Sequence, residues 1–136
     1  GLEAHAAQVR YAGALDDAFA ALAAFRADSL ALVPSRLFAS LARRIADHAL
    51  AQRLPAVFAQ ASDALAGGLM SYSPDFSDAM RRAATFVERI LRGVRPADLP
   101  VEQSSKFELV VNMKTARALG VTIPQTVLLR ADEVIR

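Results

Sequence analysis

The chain has no cysteine, only two histidines, and only two lysines, Lys106 and Lys114, among its 136 residues. Without cysteine there are no disulfides, thiolate nucleophiles or zinc–thiolate sites, and any redox compartment is compatible. His5 and His48 stand far apart, with no metal-ligand spacing such as HxxxH around either. No apolar run approaches the roughly 20 residues needed to span a bilayer. Residues Gly1 to Arg10 carry no basic stretch followed by an apolar core, so no secretion signal is expected there. An excess of one charge is also missing. Sixteen basic and fourteen acidic residues leave a net charge of +2 with both signs interspersed, too weak and scattered for a nucleic-acid footprint. Catalytic signatures are absent too. There is no GxGxxG, GxSxG or metal motif, and Gly67-Gly68 precedes a strand with no Lys-Ser/Thr after it. The expectation is a non-enzyme without cofactor, metal or catalytic residues.

What is present is a globular composition. Apolar residues make up 54% of the chain, which argues against disorder, and much of that share is alanine, a strong helix former. Periodicity predicts a strand over Leu2–Val9, a helix over Asp16–Phe25 and a buried strand over Ser29–Val33. Leu15, Phe19, Leu22 and Phe25 recur on one face of the first helix. Ser35 is placed to cap a helix over Arg36–Arg53, with Leu37, Leu41, Ile45, His48 and Ala49 inward. A strand over Leu54–Phe58, a helical turn over Ser62–Ala66 and a strand over Leu69–Tyr72 follow. The strongest helix pattern runs from Asp75 to Arg92, with Phe76, Met80, Ala83, Ala84, Val87, Ile90 and Leu91 on its apolar face and a Gly93 cap. Beyond the connector Val94–Pro100 come a strand over Phe107–Val111 and a helix over Met113–Leu119. A last segment, helical or irregular, runs from Ile123 to Ile135. Strands alternating with long helices predict an α/β fold, a Rossmann-like sandwich on a parallel sheet.

In such sheets ligands meet the loops beyond the carboxyl ends of the strands. That rule selects three places. At Ser35 the plain reading is a helix cap, the other a hydroxyl and helix start offered to a ligand carboxylate. At Phe58 and Gln60, a ring that stacks on a flat ligand and an amide that bonds to it stand against a core phenylalanine and an exposed glutamine. At Tyr72 and Ser73 the favoured reading is a cleft lining or hinge. His48 reads as a packed, hydrogen-bonded histidine. Asp16, Asp17 and Asp75 read as helix-start acids, and Arg43-Arg44 and Arg81-Arg82 as solvated faces.

The stretch Gly68-Leu69-Met70-Ser71-Tyr72-Ser73-Pro74-Asp75 resembles a recurring segment of ABC transporter substrate-binding proteins related to tryptophan- and tyrosine-uptake proteins. Further pieces fit the same family in order: Ile90-Leu91-Arg92-Gly93, Pro96 to Gln103, Lys106 to Asn112, Lys114-Thr115, Ala118-Leu119-Gly120, Ile123-Pro124 and Ala131 to Ile135. Upstream, Arg26-Ala27-Asp28, Val33-Pro34-Ser35 and Arg53-Leu54-Pro55-Ala56 also fit. The resemblance implies a two-lobed type I periplasmic-binding-protein fold. By analogy, residues 1–66 are the later part of the second lobe, and residues 67–136 are a returning segment that completes the first. It further implies the C-terminal part of an importer component in the periplasm, with a small amino-acid-like solute and a membrane permease as partners. A homodimer is one way to cover apolar faces that such a partial chain exposes. The competing class is a small α/β regulatory or ligand-sensing domain. Its phospho-receiver form needs an acidic cluster at strand ends and a lysine on a later strand, and neither lysine lies at an expected strand end.

Overall fold

The computed structural model describes residues 1–136. Its strands are β1 (Leu30–Ala31), β2 (Ala56–Phe58), β3 (Met70–Pro74), β4 (Phe107–Asn112) and β5 (Glu133–Ile135). Its α-helices are α1 (Leu15–Phe25), α2 (Arg36–Ser40), α3 (Ala42–Ala51), α4 (Ala61–Leu65), α5 (Phe76–Leu91), α6 (Met113–Leu119) and α7 (Gln125–Leu128). The five strands form one sheet in chain order. β1, β2 and β3 are parallel, β4 runs antiparallel to β3, and β5 is parallel to β4. The expected α/β fold is present, with one antiparallel pair inside a mostly parallel sheet. β2 and β3 pair across position 66, so strands on both sides of the expected lobe boundary share this sheet.

The main core lies where α1 and α3 meet the β2 side of the sheet. Leu15, Phe19, Leu22, Leu41, Ile45, Ala46, Ala49, Leu54, Ala56 and Phe58 form one buried cluster. Leu15, Phe19 and Leu22 on α1 and Ile45 and Ala49 on α3 are periodic positions of the two helices, and Leu41, Leu54, Ala56 and Phe58 close the cluster from the adjoining loops and β2. His48 stacks on Phe19 with ring centroids 4.9 Å apart, and its Nε2 lies 3.0 Å from Asp16 Oδ1, as a packed histidine should.

The expected single helix over 36–53 is two helices joined at Leu41 (φ −108°, ψ 5°). Ser40 Oγ donates to the Leu37 carbonyl at 2.7 Å, a local bond that competes with the helical ladder. Leu2–Val9 is not a strand. Ala7 and Val9 pack on the core while the backbone stays irregular. No helix is long and apolar enough to cross a membrane.

The second half of the sheet is tied down by polar groups. Asn112 ends β4 nearly buried. Its Oδ1 accepts from the Lys114 and Thr115 N–H groups to start α6, and its Nδ2 donates to the Ala64 carbonyl at 3.0 Å. Thr115 Oγ1 donates to the Gly67 carbonyl at 2.8 Å. Gly67 sits at φ +121°, and Gly68 packs so tightly that an added Cβ would lie 2.6 Å from the Phe58 ring. This glycine pair is therefore a packing device rather than a phosphate loop.

Candidate functional site: a strand-end rim

Because β1, β2 and β3 are parallel, their carboxyl ends open on one edge of the sheet. The reversal at β3–β4 brings the start of β4 to that edge, with Pro74 opposite Phe107. β5 begins there as well, since Val110 pairs with Glu133. The rim therefore gathers Ser35, Gln60, Ser73, Pro74, Asp75, Lys106, Phe107 and Asp132 from segments far apart in sequence.

Ser35 is exposed, and its Oγ accepts from the Leu37 N–H at 3.2 Å. The hydroxyl caps α2, as the plain reading has it. Phe58 is only 2% exposed and belongs to the core cluster. Of the two readings of this ring, a ligand stack or a core phenylalanine, the structure gives the core one, because β2 alternates and turns Ala56 and Phe58 inward and Val57 outward. Gln60 is exposed at the N-cap position of α4, with no side-chain capping bond. Tyr72 and Ser73 point to opposite faces. Ser73 is buried on the helix-covered side, whereas Tyr72 is 59% exposed and stacks on Phe107 with centroids 5.2 Å apart. The structure thus places Ser35 and Gln60 on the accessible rim and Tyr72 on the open sheet face beside it. It does not bring Phe58 or Ser73 to an open surface.

The open face continues from the Tyr72–Phe107 pair into a hollow of about 330 Å³, also lined by Leu109, Val127, Arg130 and Asp132. Asp132 Oδ2 accepts from the Leu109 N–H at 2.8 Å, which fixes the start of β5 against β4. A separate apolar hollow of about 170 Å³ lies along β1 and α1 and runs on to Leu32, Val33 and Phe38 beyond the end of β1.

The burial of Asp63 and the pairing of Asp75 with Lys106 go beyond the sequence reading. Asp63, in the first turn of α4, is 6% exposed, and burial pushes its carboxyl up against opposing bonds from Ser62 and the Gln60 backbone. Its acid-at-helix-start position was visible, but its burial depends on tertiary packing. Asp75 was expected as a helix-start acid and is one, accepting from the Asp78 N–H at 3.0 Å. Its second partner, Lys106 Nζ at 2.7 Å, lies 31 positions away, and no sequence signal links the two. Among the side chains, no three of His, Asp and Glu converge as a metal site.

This geometry can be set beside known proteins. Residues 8–135 match the family described as ABC transporter substrate binding protein. No curated protein sequence matches the chain. Among solved structures, a conserved domain protein from Vibrio cholerae O1 biovar eltor str. N16961 is similar over 93% of this chain and 42% of its own. Its TM-score is 0.83 and its identity 27%. The ABC domain in complex with L-Trp from Streptococcus pneumonia matches 93% of this chain and 43% of its own, with a TM-score of 0.83 and 26% identity. A third is CD0873 from Clostridium difficile, described as a substrate binding protein with adhesive properties in a ligand-free, open structure. It shares the fold at a TM-score of 0.68 and 20% identity over 93% of this chain and 42% of its own. The chain therefore spans about two-fifths of the length of these structures. With the family match running almost end to end over a mostly parallel α/β sheet, the chain belongs to the ABC transporter substrate-binding protein family.

Proposed function

We propose that the chain forms one lobe of the solute-binding component of an ABC importer, and that its rim closes on a small amino-acid-like solute held against a second lobe. The observation that carries this reading is the similarity, over 93% of the chain, to a domain in complex with L-Trp. The rim geometry agrees with it, since strand carboxyl ends are where ligands meet such sheets. Tyr72 offers a ring face to a flat side chain, and the Gln60 amide is free to bond to a carboxylate or ammonium group. Ser35 borders this surface, while Ser73 and Phe58 lie buried on the opposite, helix-covered side of the sheet. No bond is made or broken. Ligand shifts an equilibrium between open and closed lobes, and the closed form is presented to a membrane permease on the periplasmic side.

The same reading gives α5 its task. No residue of this 16-residue helix is buried, although it carries the longest apolar stripe in the chain. We assign that stripe to the second lobe rather than to a second copy of the chain. The excursion over residues 75–106 is then the part that reaches across, and the paired strands on either side of position 66 stay together.

Calorimetric titration of the protein that carries this chain, with L-tryptophan, L-tyrosine and L-leucine as probes, tests the reading. Saturable binding is expected, weakened about tenfold or more by Tyr72→Ala and less by Gln60→Ala. Chemical turnover of a bound probe would sink it in favour of an enzyme, and no binding of any of the three probes would sink it in favour of a regulatory α/β domain.

A further inference from the structure

The chain leaves the sheet at Pro74 and re-enters it opposite, at Phe107. Between these points lie α5 and a strap that returns alongside it, tied to the helix by the Arg82–Glu102 ion pair. This arm is braced within itself, by Arg82–Glu102 and by Arg95–Asp98, rather than against the sheet. At its base one residue does most of the joining. The Asp75 N–H donates to the Lys106 carbonyl at 3.0 Å. Asp75 Oδ1 accepts from the Asp78 N–H in the first turn of α5, and Oδ2 meets Lys106 Nζ on the returning stem. The carboxylate is 17% exposed, so water competes for it only in part. One rigid group thus connects the outgoing stem, the first turn of the helix and the incoming stem.

We infer that Asp75 and Lys106 form a positioning pair that fixes the angle at which α5 leaves the sheet. This rests on the two-lobe reading, in which that angle sets how the second lobe stands over the rim. Packing contributes little to that angle, because no residue of α5 is fully buried; the pair acts by linking the outgoing stem, the first turn of α5 and the incoming stem at one point. Lys106, and after it the Asp78 N–H, hold the Asp75 carboxyl below its usual range, and the same contact raises Lys106. Asp78 and Arg81, one turn along α5, face the pair with opposing effects on Lys106. The link is therefore intact across neutral pH. It is lost as pH falls through the lowered Asp75 value, or as pH rises through the raised Lys106 value.

The absence of cysteine makes a direct test simple. Spin labels on Arg89→Cys in α5 and Arg117→Cys in α6, both exposed positions, report the arm-to-body distance in the 136-residue chain. A single narrow distribution is expected. Lys106→Met and Asp75→Ser should each widen it to about twice the starting width, as for a released hinge. Serine keeps the capping ability, so the helical circular-dichroism signal should stay unchanged, and Lys106→Arg should restore the narrow distribution. Unchanged widths in both variants would overturn the inference, as would an unsubstituted chain as broad as its variants. So would widening by Asp75→Ser alone, which would assign the effect to the cap. Ligand does not enter this readout, so the pair can fail while solute binding stands, and the reverse.

Discussion

Two helices with equally clear apolar stripes end in opposite situations. On α3, Ile45, Ala46 and Ala49 are buried against α1 and the sheet. On α5, Phe76 is 72% exposed, Val87 55% and Leu91 83%. An amphipathic pattern states that a face is to be covered, but not what covers it. Within this chain the body, built on the sheet with α1, α3, α4 and α6, is where burial stabilises the fold. The arm over residues 75–106 holds its shape through helical hydrogen bonds and surface ion pairs, each of small worth. Substitutions should therefore separate the two regions by the size of their effects.

The largest effect belongs in the body. Ile45 is 1% exposed at the centre of the core cluster. Ile45→Ala should cost about 2–5 kcal/mol through lost transfer energy and a cavity, read as a shift of the urea midpoint at constant slope. Asn112→Ala comes next. It strips the cap from α6 and takes one donor from the Ala64 carbonyl, which keeps the Gly67 N–H; together these should cost about 2–3 kcal/mol. An Asn112 variant as stable as the parent would show that the β4–α6 corner is not part of the cooperative body.

How much of this was legible beforehand follows the same division. The stripes of α1 and α3, the strand that follows Gly67-Gly68 and the start of α5 at Asp75 are local patterns, and the structure keeps them. Three features were not local. The α5 pattern suggested a crossover between parallel strands, but a crossover needs its helix to pack back onto the sheet. α5 does not, so β4 returns beside β3 in the opposite direction. β5 has only three residues, too few to show alternation, and exists because β4 offers it a parallel edge. Leu2–Val9 had the alternation of a strand but pairs with none. At the rim, the strand-end rule named residues that the structure gathers along one edge of the sheet. The burial of Phe58, the stacking of Tyr72 on Phe107 and the reach of Lys106 to Asp75 depended on register, which residue type does not reveal.

A smaller effect tests the join between the two halves of the body. At Gly68 a methyl group would meet the Phe58 ring at 2.6 Å and the Asp63 carbonyl oxygen at 3.0 Å. Gly68→Ala should cost about 1–3 kcal/mol, the usual range for overpacking. Phe58→Leu removes the ring edge that the methyl strikes, so combining the two should recover part of that loss in a double-mutant cycle. Additive losses would mean that the backbone of α4, and not the ring, sets the limit.

The smallest effect is the one that could break the comparison. Met80→Ser and Val87→Ser place polar groups on the apolar stripe of α5, where both side chains are at least half exposed. In the 136-residue chain each should change stability by no more than about 0.5 kcal/mol, as for surface positions. The serine preference for non-helical backbone accounts for most of that. The same pair of substitutions made where the stripe is covered should cost several times more, because burying a hydroxyl without a partner adds to the lost apolar contact. Losses near 2 kcal/mol in the chain alone would mean that the stripe is already covered in solution, with self-association as the first suspect. A concentration-dependent melting temperature would then identify a second copy as the cover. A loss that is small in this chain alone and large when a second lobe is present would support the proposed role of α5 as the part that reaches across.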